Sequence, residues 1–182
     1  MDATEAVRTK LDVREFDRRP VPASVKLKVL ESARLTQSAM NSQHWRFILL
    51  EGKESVGKLA ALSTTGGWVA GADFAVVVLT DPAKTVHIFD AGRAVQDMEL
   101  TAWDAGVASG MFTGFKGPEL KKELGIPDGF APVAAIGFGY PVKTLKGRKK
   151  RKPLAELAFL GRFGGSLEEL EGRAAGGKGN EA

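Results

Sequence analysis

Hydrophobic positions recur along this chain with two periods, near 3.6 and near 2, and the switches between them lay out the elements. Residues 2–11 fit a short helix with Ala6, Val7 and Leu11 on one side. Arg18, Arg19, Pro20, Val21 and Pro22 follow, and two prolines with fixed φ and no N–H exclude helix there. Helical spacing returns over 23–35 through Val25, Val29, Leu30 and Ala33. Residues 45–51 read as a strand punctuated by Gly52, 53–62 as a short helix, and Thr64-Thr65-Gly66-Gly67 as a flexible turn. The β-branched apolar run Phe74–Thr80 has no polar face, the pattern of a strand buried on both sides.

Residues 85–105 carry the longest helical pattern, about six turns at 3.6 residues each. Phe89, Val95, Met98, Ala102 and Ala105 mark its apolar side, and Ala91, Gly92 and Ala94 permit close helix approach. Small residues and few surface charges predict a central helix that meets a partner, stopped at Gly106. A short strand within 107–115 leads into a Gly-bearing loop, 119–124 is a helix closed by Gly125, and Pro127-Asp128-Gly129 is a turn. Residues 133–140 form a second buried strand, stopped by Pro141, and Pro153 opens a helix over 154–160. The Gly/Ala-rich tail 172–182 is expected to be disordered, leaving one domain over 1–171. There is no internal repeat, and the order of elements gives an α+β fold, helices around a central sheet.

Composition narrows the chemistry. At 182 residues, with 43% hydrophobic and 26% charged residues, the chain fits one domain or a subunit that completes its core by pairing. No apolar run approaches the roughly 18–20 residues of a membrane helix. The start, Met1-Asp2-Ala3-Thr4-Glu5, lacks the basic and apolar parts of a signal peptide, so the expected compartment is the cytoplasm. Without cysteine there is no thiolate nucleophile, iron–sulfur cluster or zinc-thiolate site, and two histidines, His44 and His87, make metal catalysis unexpected. The net charge of +4 is local: Lys143, Lys146, Arg148, Lys149, Lys150, Arg151 and Lys152 supply seven positive charges, so the rest of the chain carries −3.

The candidate chemistry sits at a polar helix-to-strand junction, 36–43, where Asn41 and Gln43 both donate and accept hydrogen bonds, as a flat heteroaromatic ring with mixed edges requires. A polar loop ending a helix is the plainer reading. Arg14, among Lys10, Arg18 and Arg19, is either part of a solvated basic turn or a phosphate contact, since a guanidinium offers paired donors. Gly106, Gly110 and Gly114 do not make a dinucleotide fingerprint, and no phosphate loop of the G-x-x-x-x-G-K-S/T type is present. The basic run 143–152 reads as a solvated linker, a nucleic-acid patch or a cofactor-phosphate segment; it holds no aromatic residue on which a base would stack. Ser38 with His44 or His87 lacks a G-x-S-x-G elbow, which argues against a hydrolase. His87 is expected to be structural or exposed at a helix start, and Trp68 lies in the core or at a pocket edge.

Taken in order, these segments resemble the FMN-dependent nitroreductase family, particularly its short single-domain members. The likeness begins at Lys10-Leu11-Asp12-Val13-Arg14-Glu15-Phe16, similar to a basic-x-Ser-x-Arg-x-Phe opening. It continues through Ala33-Arg34 and Ser38-Ala39-Met40-Asn41-Ser42-Gln43-His44-Trp45, which looks like A-R-x-A-P-S-x-x-N-x-Q-P-W. Asp90-Ala91-Gly92-Arg93-Ala94-Val95-Gln96, the glycines 106 to 114, Gly137-Phe138-Gly139-Tyr140-Pro141 and Arg151-Lys152-Pro153-Leu154 follow, so the resemblance spans about 7–165. It implies a mixed or antiparallel sheet of about four to five strands in an intertwined homodimer with FMN at the interface. Lys10, Arg14, Lys149 and Arg151 would hold the cofactor phosphate, and Ser38, Met40, Asn41 and Gln43 would reach the flavin of the other subunit. Met111, Phe112, Thr113 and Gly114 would lie over the ring.

The implied activity is hydride uptake from NADH or NADPH onto the flavin and ping-pong delivery to a small acceptor, nitroaromatic or quinone. No side chain then acts as a catalytic group, and neither nucleic acid nor membrane is an expected partner. The alternative is a flavin-binding protein without turnover. Three positions depart from the pattern: Asp12 replaces a serine, and Gln37 and His44 replace prolines. A carboxylate at 12 would repel a phosphate unless it turned toward Arg14 or another cation.

Overall fold

The computed structural model describes residues 1–143 and 149–176. The chain divides into two compact units, Met1–Gly147 and Arg148–Ala182, each described by itself.

The first unit is built on one four-stranded antiparallel sheet. In chain order come α1 (Ala3–Thr9), α2 (Ala23–Leu35), β1 (Arg46–Glu51), α3 (Gly52–Ala61), β2 (Phe74–Thr80), α4 (Thr85–Asp104), β3 (Ala108–Phe112), α5 (Gly117–Glu123) and β4 (Ala131–Gly139). The strands lie in the order β1-β2-β4-β3, all neighbours antiparallel. The α+β class and the antiparallel sheet are as expected.

β2 is buried along its whole length, as its unbroken apolar run requires. Phe74, Val76 and Val78 face the side covered by α2 and α4, packing with Val29, Ala33, Ala94 and Met98. Ala75, Val77 and Leu79 face the other side, with Val56 and Leu59 of α3 and Leu120 of α5. Register sets Phe74 opposite Phe138 of β4, and their rings stack with centroids 4.7 Å apart.

A cross-strand pair of glycines, Gly110 on β3 and Gly137 on β4, opens a slot in the second face. The Trp68 ring fills it: a Cβ at either glycine would lie 3.0 Å from the indole. The expected flexible turn at 64–67 therefore leads into a 3-10 turn, Gly67–Gly71, that carries a packed tryptophan.

α4 differs from its expected facing in one respect. His87, Asp90, Ala91, Ala94, Val95, Met98, Glu99 and Ala102 are its buried side. Phe89, two residues and about 200° from Ala91, points away and is 70% exposed.

In the second unit the helix expected over 154–160 is a single 3-10 turn, Leu154–Glu156. Gly161 and Gly164 adopt φ of +74° and +83° and fold the chain into a loop in which the Leu160 N–H donates to the Gly165 carbonyl. α6 (Glu168–Gly176) takes in the first residues of the Gly/Ala-rich tail; 177–182, like 144–148 of the basic run, lie outside the described residues.

Gly137→Ala should lower stability by about 1–3 kcal/mol, because its Cβ would sit 2.7 Å from Val69 as well as against Trp68. Gly57→Ala, in α3 with nothing within 4 Å, should be neutral or stabilising by up to about 1 kcal/mol. Urea unfolding of the two variants checks both signs.

Candidate functional site

Three stretches of the first unit carry candidate residues, and α4 anchors the first two. The opening segment runs along the β3 edge of the sheet. Val13 N–H donates to the Ser109 carbonyl at 2.8 Å, and Asp17 N–H donates to the Tyr140 carbonyl at 2.8 Å. Lys10 is turned inward and 7% exposed. Its Nζ lies 2.8 Å from Glu99 Oε1 of α4 and 2.5 Å from Asp12 Oδ1. Ser109 Oγ donates to the same Glu99 oxygen at 2.9 Å. Asp12 has thus turned toward a cation, Lys10, and not toward Arg14.

Arg14 is exposed, its guanidinium 5.7 Å from the Trp68 ring centroid. It lines a cleft of about 450 Å³ with Glu15, Pro141 and Lys143. No carboxylate among the described residues forms an ion pair with it. Lys143 joins Arg14 here because Pro141 ends β4 beside Phe16, a placement that the run of basic residues did not single out.

The second stretch, between α2 and β1, is strained. Met40, Asn41 and Gln43 have φ of 52°, 54° and 47°, left-handed values that non-glycine residues seldom take. Met40 is 98% exposed. The strain is held from one side. Ala39 N–H donates to Asp90 Oδ2 at 2.8 Å, and Gln43 N–H donates to Ser38 Oγ at 3.0 Å. Arg93 donates to Gln37 Oε1 at 2.7 Å and to Asp90 Oδ1 at 3.3 Å. Gln37, where the family pattern has proline, is therefore an acceptor for Arg93. Asn41 and Gln43 present their side chains outward, Gln43 Nε2 reaching the Asn41 carbonyl at 3.3 Å.

His87 is buried in the first turn of α4, the structural one of the two placements expected for it, and the His44 side chain, 9% exposed, packs on it. Their rings stack 3.7 Å apart and 10° from parallel. Burial first, and then the neighbouring His87, hold the His44 imidazole below its ordinary value, with Asp90 opposing. The Asp90 carboxyl is held below the carboxylate range, chiefly by the Ala39 N–H and then by Arg93 and His44. Asp90 and Glu99 were not expected as organising residues; the signal was two acids interrupting the apolar side of a long helix.

The third stretch is only partly outward. Phe112 is 5% exposed, packed edge-on against Trp68 and beside Phe115, so its side chain belongs to the core. Met111 and Thr113 are exposed. Gly114 admits Thr64 and Thr65 so closely that a Cβ would collide with both hydroxyls. A cleft of about 930 Å³ opens beside Thr113, walled by Phe115, Lys121 and Lys122. Lys149 and Arg151 lie in the second unit; Lys149 is half-buried, and Arg151 is exposed and donates to the Lys150 carbonyl at 3.0 Å. Among the described residues no cluster of three or more His, Asp or Glu is placed to hold a metal, and no helix is long and apolar enough to cross a membrane.

The fold is α+β, with a strained polar junction and an arginine that has no carboxylate partner among the described residues. Residues 7–81 and 58–140 match the model of the Nitroreductase family, and the chain belongs to that family. A relative from Methanothermobacter thermautotrophicus, named "Putative NADH dehydrogenase/NAD(P)H nitroreductase", is 27% identical over 79% of this chain and 80% of its own. A crystal structure titled as an oxidoreductase containing FMN is 27% identical, covers 91% of this chain and 95% of its own, and superposes with a TM-score of 0.78. A nitroreductase family protein from Clostridium difficile 630, 24% identical, shares the fold at a TM-score of 0.80 over 89% of this chain and 99% of its own.

Lys10→Met should cost about 3–5 kcal/mol, since it leaves Glu99, 7% exposed, without its cation. Adding Glu99→Gln should recover much of that loss in chemical denaturation. The lowered His44 value predicts a second effect. The unfolded chain takes up this proton first, so stability falls as pH drops below about 6.5. His44→Phe, which keeps a flat ring, should flatten that part of the urea-midpoint profile between pH 7.5 and 5.

Proposed function

We propose that this chain is an FMN-dependent oxidoreductase that takes hydride from NADH or NADPH and reduces a small acceptor, nitroaromatic or quinone, in a ping-pong cycle as a cytoplasmic homodimer. The observation that carries the reading is Arg14, a guanidinium with no carboxylate pair among the described residues, set over Trp68 in a cleft shared with Lys143. That donor set fits a phosphate monoester, for which a guanidinium provides two parallel N–H donors. The family membership and the FMN named for a 27%-identical structure support the choice of cofactor.

In this reading Arg14, with Lys149 and Arg151, binds the phosphate. Lys10 contributes by holding the Asp12 carboxylate, which removes a repulsion that a serine at 12 would not have posed. Ser38, Asn41 and Gln43 present amide and hydroxyl groups to the flavin edge of the neighbouring subunit, and Met40 supplies apolar contact. Met111, Thr113, Gly114 and the backbone of Phe112 would lie over the ring, while the Phe112 side chain, 5% exposed, anchors the strand. The cleft beside Thr113 leaves room for the donor and then the acceptor. When bound, FMN supplies the redox chemistry, accepting hydride at N5 and returning electrons to the second substrate. The protein binds, orients and excludes water; no residue is required to move a proton by itself.

The purified protein should be yellow or become so with FMN, and saturating FMN should raise the melting temperature, by an amount set by the ratio of ligand to Kd. Arg14→Ala with Arg151→Ala should weaken FMN binding by at least about tenfold, from the loss of charged hydrogen bonds worth about 1.5–3 kcal/mol each. Unchanged affinity would remove both residues from the phosphate site. Anaerobic mixing with NADH and NADPH should bleach the flavin; a bound flavin that never bleaches would mean binding without turnover.

A further inference from the structure

The cofactor reading makes no use of the buried cluster His44–His87–Asp90. His44 precedes β1, and its Nδ1 lies 2.5 Å from Thr80 Oγ1 at the end of β2. Its Nε2 lies 3.6 Å from Asp90 Oδ2, too far for a hydrogen bond, and that nitrogen is buried without a partner among the described residues. His87, in the first turn of α4, stacks on it, and its Nδ1 is likewise buried and unbonded. Trp45 meets His44 edge-on at 5.2 Å. The charged groups facing the pair are Asp90 and Arg93 of α4 and Arg46 of β1, whose charge opposes protonation of His44.

This arrangement has one stable proton count at neutral pH. The anionic Asp90 favours the tautomer with hydrogen on Nε2, and the Thr80 hydroxyl then donates to Nδ1. Two rings 3.7 Å apart repel if both are charged, so a proton on one opposes a proton on the other. The ring whose charge can act on the carboxylate is His44, which alone of the two faces it, at 3.6 Å.

Asp90 is also the anchor of the junction at Ala39 and, through Arg93, at Gln37, while Thr36 donates to Asp97 and Gln43 N–H donates to Ser38 Oγ. One Asp90 oxygen accepts the Ala39 N–H, and the other accepts Arg93, which grips Gln37. An imidazolium at His44 competes for Oδ2, the oxygen that Ala39 uses, and the left-handed residues 40, 41 and 43 then lose that restraint. We propose that the stacked His44–His87 pair is a one-proton switch acting through Asp90, which releases residues 36–43 in mildly acid solution and thereby weakens cofactor binding. The cofactor half of this statement rests on the function proposed above.

Ligand-free protein tests the switch first. In an NMR titration of the imidazole C–H signals, the His44 ring should titrate below its ordinary value of about 6.5. The hydrogen-exchange protection factor of the Ala39 amide should fall about tenfold between pH 7.5 and 5.5, because a proton that binds the released junction more tightly than the held one favours release. His44→Phe should hold that protection factor constant. If His44 titrates at or above 6.5, or if Ala39 protection in the wild type does not change with pH, the switch is overturned, and neither measurement needs a variant that folds.

FMN affinity at the same two pH values is the second arm. The variant reports the part that comes from the FMN phosphate itself, whose second pKa is about 6. Wild type should lose about tenfold more affinity than His44→Phe, matching the fall in Ala39 protection. Ala39 protection that falls while FMN fails to bind at either pH would overturn the cofactor reading and leave the switch standing. FMN binding with flat protection would do the reverse.

Discussion

Everything in the first unit depends on β2 having no solvent side. Each residue of Phe74–Thr80 is 3% exposed or less. A strand of that kind must be covered on both faces, so α2 and α4 pack on one and α3 and α5 on the other. The same burial fixes register. A slip of one residue would exchange Phe74, Val76 and Val78 for Ala75, Val77 and Leu79, and put small residues where the Phe74–Phe138 stack fills the helix-covered side. With register fixed, Gly110 falls opposite Gly137, Trp68 has its slot, and Arg14 has an aromatic face to rest on. The position of an exposed arginine is thus set by a buried strand it does not touch.

α4 translates that rigid platform into two placements. Its buried side carries two carboxylates, Asp90 at 3% and Glu99 at 5% exposure, and each is satisfied by a different segment of chain. Glu99 takes Lys10 and Ser109 and so ties the opening segment to β3. Asp90 takes the Ala39 N–H and Arg93 and so ties the α2–β1 junction. An unpaired acid at either position would be expensive to bury, so the two segments are held by the requirement to satisfy the helix. A helix of this length needs only its apolar positions for packing; the two acids serve placement.

Much of the fold was legible in the sequence for the same reason that it is stable. Long, strongly patterned segments identified α2, β2 and α4, because a helical stripe and a two-faced apolar run each have one economical way to be buried. Phe89 misled because a phenylalanine on a small-residue helix reads as core, whereas its angular position puts it outside. The helix over 154–160 failed because glycines at 161 and 164 take left-handed φ and close a loop, a choice that apolar spacing does not encode. In the site, the residue types of the junction and Arg14 were readable from order and likeness. Lys10 was not readable as an internal ion pair, because its partner Glu99 is 89 residues away and only the register of β3 against the opening segment brings them together.

The strain at the junction bears on why it exists in this form. Asn41 tolerates a left-handed backbone, but Met40 and Gln43 do so at a cost of about 1–3 kcal/mol each. A turn of ordinary shape between α2 and β1 was available to the chain, as the many polar residues of 36–43 would have permitted it. What the strained shape achieves is to turn Met40 fully outward, and to set Asn41 and Gln43 beside it with their side chains exposed, while Ala39 and Gln37 are anchored to Asp90 and Arg93 of α4. Such a surface has its restraint behind it and its hydrogen-bonding capacity in front, which is the arrangement a ligand or a neighbouring subunit needs if it is to be met without further ordering cost. The two histidines sit on the restrained side and not on the presented one, so a change in their charge alters how firmly the surface is held without altering its chemistry.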